Sequence, residues 1–306
     1  NGKNLIQGMR NLVSDMEKDG DVFTITQTDT RAFEIGRNLA VTPGKVVFQN
    51  DIFQLIQYAP ATDKVREVPL LIVPPWINKY YILDLSPEKS FVKFAVEQGF
   101  TVFMVSWINP DARHASKTFE NYLTDGLLSA ANAVTRETGA KKGNVLGYCI
   151  GGTLVGSALA YLAARDEDRF ASATFLTTQF DFDRAGDLKL FTSSTQLGIL
   201  EELMGARGYL DGSRLAALFS QLRPKDLIWP FVVNNYLLGK TPPAFDILYW
   251  NQDSTRMPAA NHAFYLRKFY NENLFAKGEL VLEAPTLSDN NPECSVDHIL
   301  AYLKTL

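Results

Sequence analysis

Asn144-Val145-Leu146-Gly147-Tyr148-Cys149-Ile150-Gly151-Gly152-Thr153 is the stretch from which the rest of the chain is read. It begins as an apolar strand, turns sharply through G-x-C-x-G, and continues into a run of small residues, Thr153 to Ala164, with helical character. Strand, tight turn and helix in that order form a nucleophile elbow, with cysteine in the place serine usually holds. Each residue has a physical reason. The turn holds Cys149 in a strained backbone conformation, and the flanking glycines, lacking Cβ, let neighbouring backbone approach closely. The helix N-terminus offers unpaired amides and a positive dipole end, which favours a thiolate. The amide of Ile150 is placed to donate to an oxyanion. The competing reading is a buried core thiol, since free cysteines are among the most buried residues. The strand before and the helix after favour the nucleophile.

Working outward, the pattern alternates. Pro69 to Val73 and Thr101 to Trp107 are apolar runs of the kind buried on both faces of a sheet, and Ala173 to Leu176 is a fourth strand beside 144–147. Ser90 to Gln98 and Phe119 to Glu137 carry helical periodicity, the latter with Leu123, Leu127, Leu128 and Ala131 on one stripe. Lys45 to Phe48 and Phe53 to Tyr58 flank a turn at Asn50-Asp51 and read as a hairpin. Asn4 to Glu17 reads as a surface helix. Strands alternating with helices imply a parallel sheet with right-handed crossovers. The expected fold is therefore α/β: an α/β-hydrolase fold with a mostly parallel sheet and an inserted helical cap. The expected division is 1–186 for the N-terminal segment and core, 187–273 for an aromatic- and leucine-rich cap, and 274–306 for a C-terminal core remnant. In this fold a second oxyanion amide comes from the loop after an earlier strand. Here that loop is Pro74-Pro75-Trp76-Ile77, with Trp76 or Ile77 as donor; alternatively the prolines simply end the strand and Trp76 fills the core.

Composition excludes several classes. A net charge of −4 and a pI near 5.5 argue against a nucleic-acid surface. No apolar run is long enough for a transmembrane helix. The two cysteines, Cys149 and Cys294, cannot make a four-thiolate zinc site and point to a reducing compartment. His114, His262 and His298 lack ligand spacing, so no metal and no resident cofactor is expected. The start at Asn1-Gly2-Lys3 suggests a fragment.

Several long motifs then carry a resemblance. Ala32-Phe33-Glu34-Ile35-Gly36-Arg37-Asn38, Pro74 to Tyr81, Gly147 to Gly152, Leu222-Arg223-Pro224-Lys225-Asp226-Leu227 and Phe245 to Asn251 resemble the polyhydroxyalkanoate synthases, the short-chain class I type, from about Asn4 to Leu282. The resemblance implies an acyltransferase that polymerises (R)-3-hydroxyacyl-CoA into polyester with release of CoA. It also implies a homodimer in the cytoplasm on polyester granules. In that family the elbow cysteine carries the growing chain as a thioester, a histidine activates it, and an aspartate activates the incoming hydroxyl. A thiolate suits such exchange because nucleophile and leaving group are chemically alike.

After Leu282 the family pattern breaks. Asp297-His298-Ile299 matches an Asp-His-Ile motif, which makes Asp297 the candidate acid and His298 the nearby imidazole. In the family, however, the base comes from a later Ser-Gly-His segment, and no Gly-His pair follows here. Missing segments, a sequence that joins pieces distant in the full protein, or divergence would each explain this. His262 is read as structural and His114 as a solvated loop residue. The resemblance gives Asp181 a structural or cap-anchoring role. Part of the aromatic set Phe231, Tyr236, Phe245, Tyr249, Trp250, Phe264, Tyr265 and Phe269 is expected to wall an apolar tunnel for the acyl chain, with the rest forming a dimer face or ordinary core. Arg223 and Lys225 are candidate contacts for CoA phosphates or, equally, solvated surface charges. The alternatives to polymerisation are a thiol esterase or depolymerase using water as acceptor, and a non-catalytic partner subunit.

Overall fold

The computed structural model describes residues 2–18, 22–282 and the backbone pair 293–294. Six strands form its central sheet: β1 (Gly44–Gln49), β2 (Phe53–Tyr58), β3 (Leu70–Val73), β4 (Val102–Trp107), β5 (Gly143–Tyr148) and β6 (Phe170–Leu176). Their spatial order is β1-β2-β4-β3-β5-β6. The hairpin β1–β2 is antiparallel and joins β4 antiparallel, whereas β4, β3, β5 and β6 run parallel. Helices cross over between the parallel strands: α2 (Phe91–Glu97), α3 (119–138) and α4 (Ile150–Ala163).

The sheet's two faces follow from period-2 alternation. Leu71, Val73, Phe103, Val105 and Val145 pack into the main core with α3 and α4. Leu70, Ile72, Val102, Met104 and Leu146 face the other way, against Val92, Ala95 and Val96 of α2. This double coverage explains why β3 is buried at every position and shows no polar alternation. Ser90 caps α2 by accepting from the Lys93 amide. The α4 sequence has no apolar stripe because it has no solvent face: Ile150 through Leu162 are all buried. Within α3, Tyr122–Leu128 widens into a π turn that the 3.6-residue pattern does not announce.

Beyond β6 the chain is mainly helical: α5 (Ser194–Gly205), α6 (Gly212–Leu222), α7 (224–237), α8 (Asp246–Gln252), α9 (259–271) and α10 (Leu274–Lys277). A two-residue ladder, Tyr209–Leu210 with Met257–Pro258, ties the middle of this region together. The N-terminal helix α1 (Lys3–Met16) docks on α7, where Asn11 donates to the Asn235 carbonyl at 2.9 Å and Tyr236 donates to Asp15 at 2.6 Å. The approach is close: a Cβ on Gly8 would sit 1.8 Å from the Tyr236 carbonyl oxygen.

Leu280-Val281 lies outside the central sheet and pairs antiparallel with Glu293–Cys294 in a separate two-stranded ladder. Among the described residues, no helix is long and apolar enough to cross a membrane.

Candidate active site

Cys149 sits at the junction of β5 and α4 with φ 55° and ψ −127°, far from any relaxed conformation of an L residue. Such strain costs on the order of 1–3 kcal/mol and persists only where the surroundings impose it. Here they do. The Cys149 amide donates to the Leu176 carbonyl of β6 at 2.9 Å, and its carbonyl accepts from Gly152 at 2.9 Å. The two glycines that matter are those whose Cβ would strike backbone. On Gly147 it would lie 2.4 Å from the Gly152 Cα, and on Gly151 it would lie 2.3 Å from the Val73 carbonyl oxygen and 2.7 Å from that of Pro74. The elbow therefore fits only because the helix start lies directly on the end of β3.

The loop after β3 is held in place from the core. The Trp107 indole donates to the Pro74 carbonyl at 2.8 Å. The Trp76 ring is 1% exposed and packs edge-on or tilted against Trp107, Phe119, Tyr122 and Tyr265. So the Trp76 side chain is a core element, the second of the two alternatives, while Ile77 lines the same cavity as Cys149 and Ile150.

That cavity measures about 550 Å³ and is mostly apolar. Its walls differ from the aromatic tunnel expected. Of the eight aromatics named from sequence, only Tyr265 lines it; the greasy wall comes instead from α5 and α6, including Leu200, Leu203, Leu215, Leu218 and Phe219. The other aromatics are engaged elsewhere. Trp250 donates to the Lys79 carbonyl at 2.8 Å, Tyr249 packs on Phe33, and Phe264 stacks on Phe119. Tyr265 and Tyr270 both reach the cavity from a π turn, Tyr265–Asn271, whose wider winding brings residues five apart toward one side.

The electrostatics correct the expectation that the helix end favours a thiolate. Burial pushes the Cys149 thiol above its ordinary value, and the hydrogen bond from the Ile150 amide pulls it back only in part. At this depth desolvation outweighs the helix dipole, so the resting sulfur is a protonated thiol that needs a base. The neighbouring phenols are neutral as well: burial raises Tyr265 and Tyr148, and burial together with nearby Cys149 pushes Tyr270 up to about 12.

The histidine sequence reasoning passed over is His262. It is 5% exposed, lines the Cys149 cavity, and its Nδ1 has no hydrogen-bond partner. Burial lowers its pKa to about 4. The sequence signal was weak, since Pro258-Ala259-Ala260-Asn261 looks like an ordinary turn. His114 is half-buried rather than solvated; its Nδ1 accepts from the Asp111 amide at 3.2 Å, and it does not line the cavity. Asp181 accepts from the Asn273 side-chain amide at 2.8 Å, while Asn273 accepts from the Phe182 amide at 3.0 Å, so Asp181 fastens the end of β6 to the start of α10. Arg223 pairs with Asp226 at 2.7 Å on the surface, and neither Arg223 nor Lys225 lines the cavity. The guanidinium that does is Arg214, on α6. Asp297 and His298 lie outside the described residues. Among those described, no group of His, Cys, Asp and Glu is arranged to hold a metal ion.

Comparison with known proteins agrees with the geometry. A family described as "Poly-beta-hydroxybutyrate polymerase (PhaC) N-terminus" matches residues 1–95, and one described as "alpha/beta hydrolase fold" matches residues 68–288. The "Poly(3-hydroxyalkanoate) polymerase" of Methylorubrum extorquens is 55% identical over 92% of this chain and 46% of its own length. The "Poly(3-hydroxyalkanoate) polymerase subunit PhaC" of Rhizobium meliloti is 53% identical over 94% of this chain and 47% of its own. "Poly(3-hydroxyalkanoate) polymerase 1" of Ectopseudomonas oleovorans is 40% identical over 98% and 55%. The chain thus spans about half the length of the curated relatives it matches. With strand order, elbow and the match over 68–288 in agreement, the chain belongs to the α/β-hydrolase fold family, and in sequence it stands with the poly(3-hydroxyalkanoate) polymerases.

Proposed function

We propose that this chain carries the acyl-transfer centre of a polyester synthase that consumes (R)-3-hydroxyacyl-CoA. The observation that supports this most is Cys149, strained at the elbow and set in the wall of a 550 Å³ apolar cavity large enough for an acyl chain. In this reading a base takes the thiol proton and Sγ attacks the thioester carbonyl. The Ile150 amide and the Ile77 end of the 74–77 loop receive the oxyanion, the carbon–sulfur bond to CoA breaks, and the CoA thiolate leaves with a proton. The hydroxyl of the next hydroxyacyl unit then loses its proton as it attacks the Cys149 thioester, forming the ester and releasing the thiol. Asp297 and His298 are the proposed acid and imidazole. Because Cys149 rests protonated, the base is essential rather than auxiliary. Arg214 takes the place first given to Arg223 and Lys225 as the contact for CoA phosphate. A homodimer at the surface of cytoplasmic polyester granules completes the proposal.

Incubation with (R)-3-hydroxybutyryl-CoA tests it. Thiol release with polymer, lost in Cys149→Ala, is expected. Thiol release with only free acid would make the chain a thiol esterase, and no release would make it a non-catalytic subunit.

A further inference from the structure

The cavity beside Cys149 contains one polar group too many for a site that holds only hydrocarbon. Four of its polar side chains are engaged by the protein: Gln179 donates to the Asp181 carbonyl at 3.0 Å, Thr192 to the Lys189 carbonyl at 3.3 Å, Gln196 accepts from Ser193 at 2.8 Å, and Tyr265 pairs with Thr153. His262 is different. Its ring is engaged by no hydrogen bond among the described residues; Nδ1 is buried beyond reach of the cavity's contents, so the ring meets the cavity with its other edge.

Substrate chemistry presents the matching surplus. A plain acyl thioester brings one polar atom to the cavity, its carbonyl oxygen, which the Ile150 amide receives. A 3-hydroxyacyl thioester brings a second, the hydroxyl, and the leucine-rich wall from α5 and α6 offers it nothing. We propose that the His262 imidazole pairs with the 3-hydroxyl of the acyl group, and so makes the site select hydroxyacyl over unsubstituted acyl thioesters. This rests on the acyl-transfer reading of Cys149. The ring suits the role because a neutral imidazole, which burial enforces here, both donates and accepts, as a hydroxyl does. A pocket that hydrogen-bonds a substrate hydroxyl discriminates against the analogue lacking it far more strongly than an apolar pocket does.

The test measures covalent acylation of Cys149 by intact mass, with 3-hydroxybutyryl-CoA and butyryl-CoA as separate probes. It is run on the wild type and on His262→Phe, His262→Leu and His262→Asn, so that no single side chain the buried site rejects decides the outcome. The readout is the ratio of the two acylation rates, in which effects common to both thioesters cancel. The ratio is expected to favour the hydroxyacyl probe in the wild type. It should fall on the order of tenfold to a hundredfold in the Phe and Leu variants and recover in part in the Asn variant. An unchanged ratio in the apolar variants overturns the assignment while leaving acyl transfer standing. Acylation of the wild type by neither probe overturns the acyl-transfer reading, and this one with it.

Discussion

Lowering the pH from 7 to 5 should remove about 2 kcal/mol of folding stability through His262. The ring is 5% exposed, and burial alone draws its pKa from 6.5 to about 4. A histidine whose folded pKa lies below its unfolded value binds fewer protons folded than unfolded across that interval. Stability therefore rises with pH through the interval, is fully present above 6.5, and is lost on acidification toward 4. At about 1.36 kcal/mol per unit, the whole interval amounts to about 3 kcal/mol, of which about 2 falls between pH 7 and pH 5. Urea unfolding midpoints at both pH values, in the wild type and in His262→Leu, isolate this contribution. Carboxylates held low in the fold, such as Asp15 and Glu167, lose their contribution only as pH falls below the ordinary carboxylate range, and they do so equally in both proteins. The leucine variant, with nothing to titrate at this site, should show an acid loss smaller by about 2 kcal/mol. Equal acid sensitivity in the two proteins would refute the buried, neutral imidazole.

Three other outcomes follow from the same geometry. Alkylation of Cys149 by iodoacetamide should be slower at pH 8 than that of a free cysteine and should keep rising beyond the ordinary thiol range, because burial holds the thiol protonated; a rate plateau near neutrality would contradict this. Gly151→Ala should lower the unfolding free energy by about 1–3 kcal/mol and slow that alkylation further, since its Cβ would lie 2.3 Å from the Val73 carbonyl oxygen; an unshifted melting curve would show that the helix start is not seated as described. Arg214→Met should raise KM for an acyl-CoA while leaving KM for a short thioester without phosphates near the wild-type value, and the acyl-CoA KM should lose its salt dependence; equal effects on both substrates would remove Arg214 from the phosphate contact.

What the sequence determined by itself was whatever repeats locally or has a steric cause within a few residues. The alternation of buried strands and helices, the hairpin around Asn50 and the elbow at Cys149 were all legible, because strand period, turn chemistry and the need for Cβ-less neighbours are written in consecutive letters. What the tertiary structure alone decided was environment. His262 in a plain Pro-Ala-Ala-Asn turn became a cavity residue only because α9 packs beside the elbow, and Arg223 sits at the surface against Asp226 because of where α7 begins. The Cys149 thiol reversed its expected shift for the same reason. A helix N-terminus is a local feature that sequence announces, but desolvation depends on everything packed above it, which for this cysteine is contributed by chain 30 to 120 residues away. The lining of the apolar cavity followed suit: which aromatics face it depends on α5 and α6 supplying leucines to that wall, a long-range arrangement that no local period encodes.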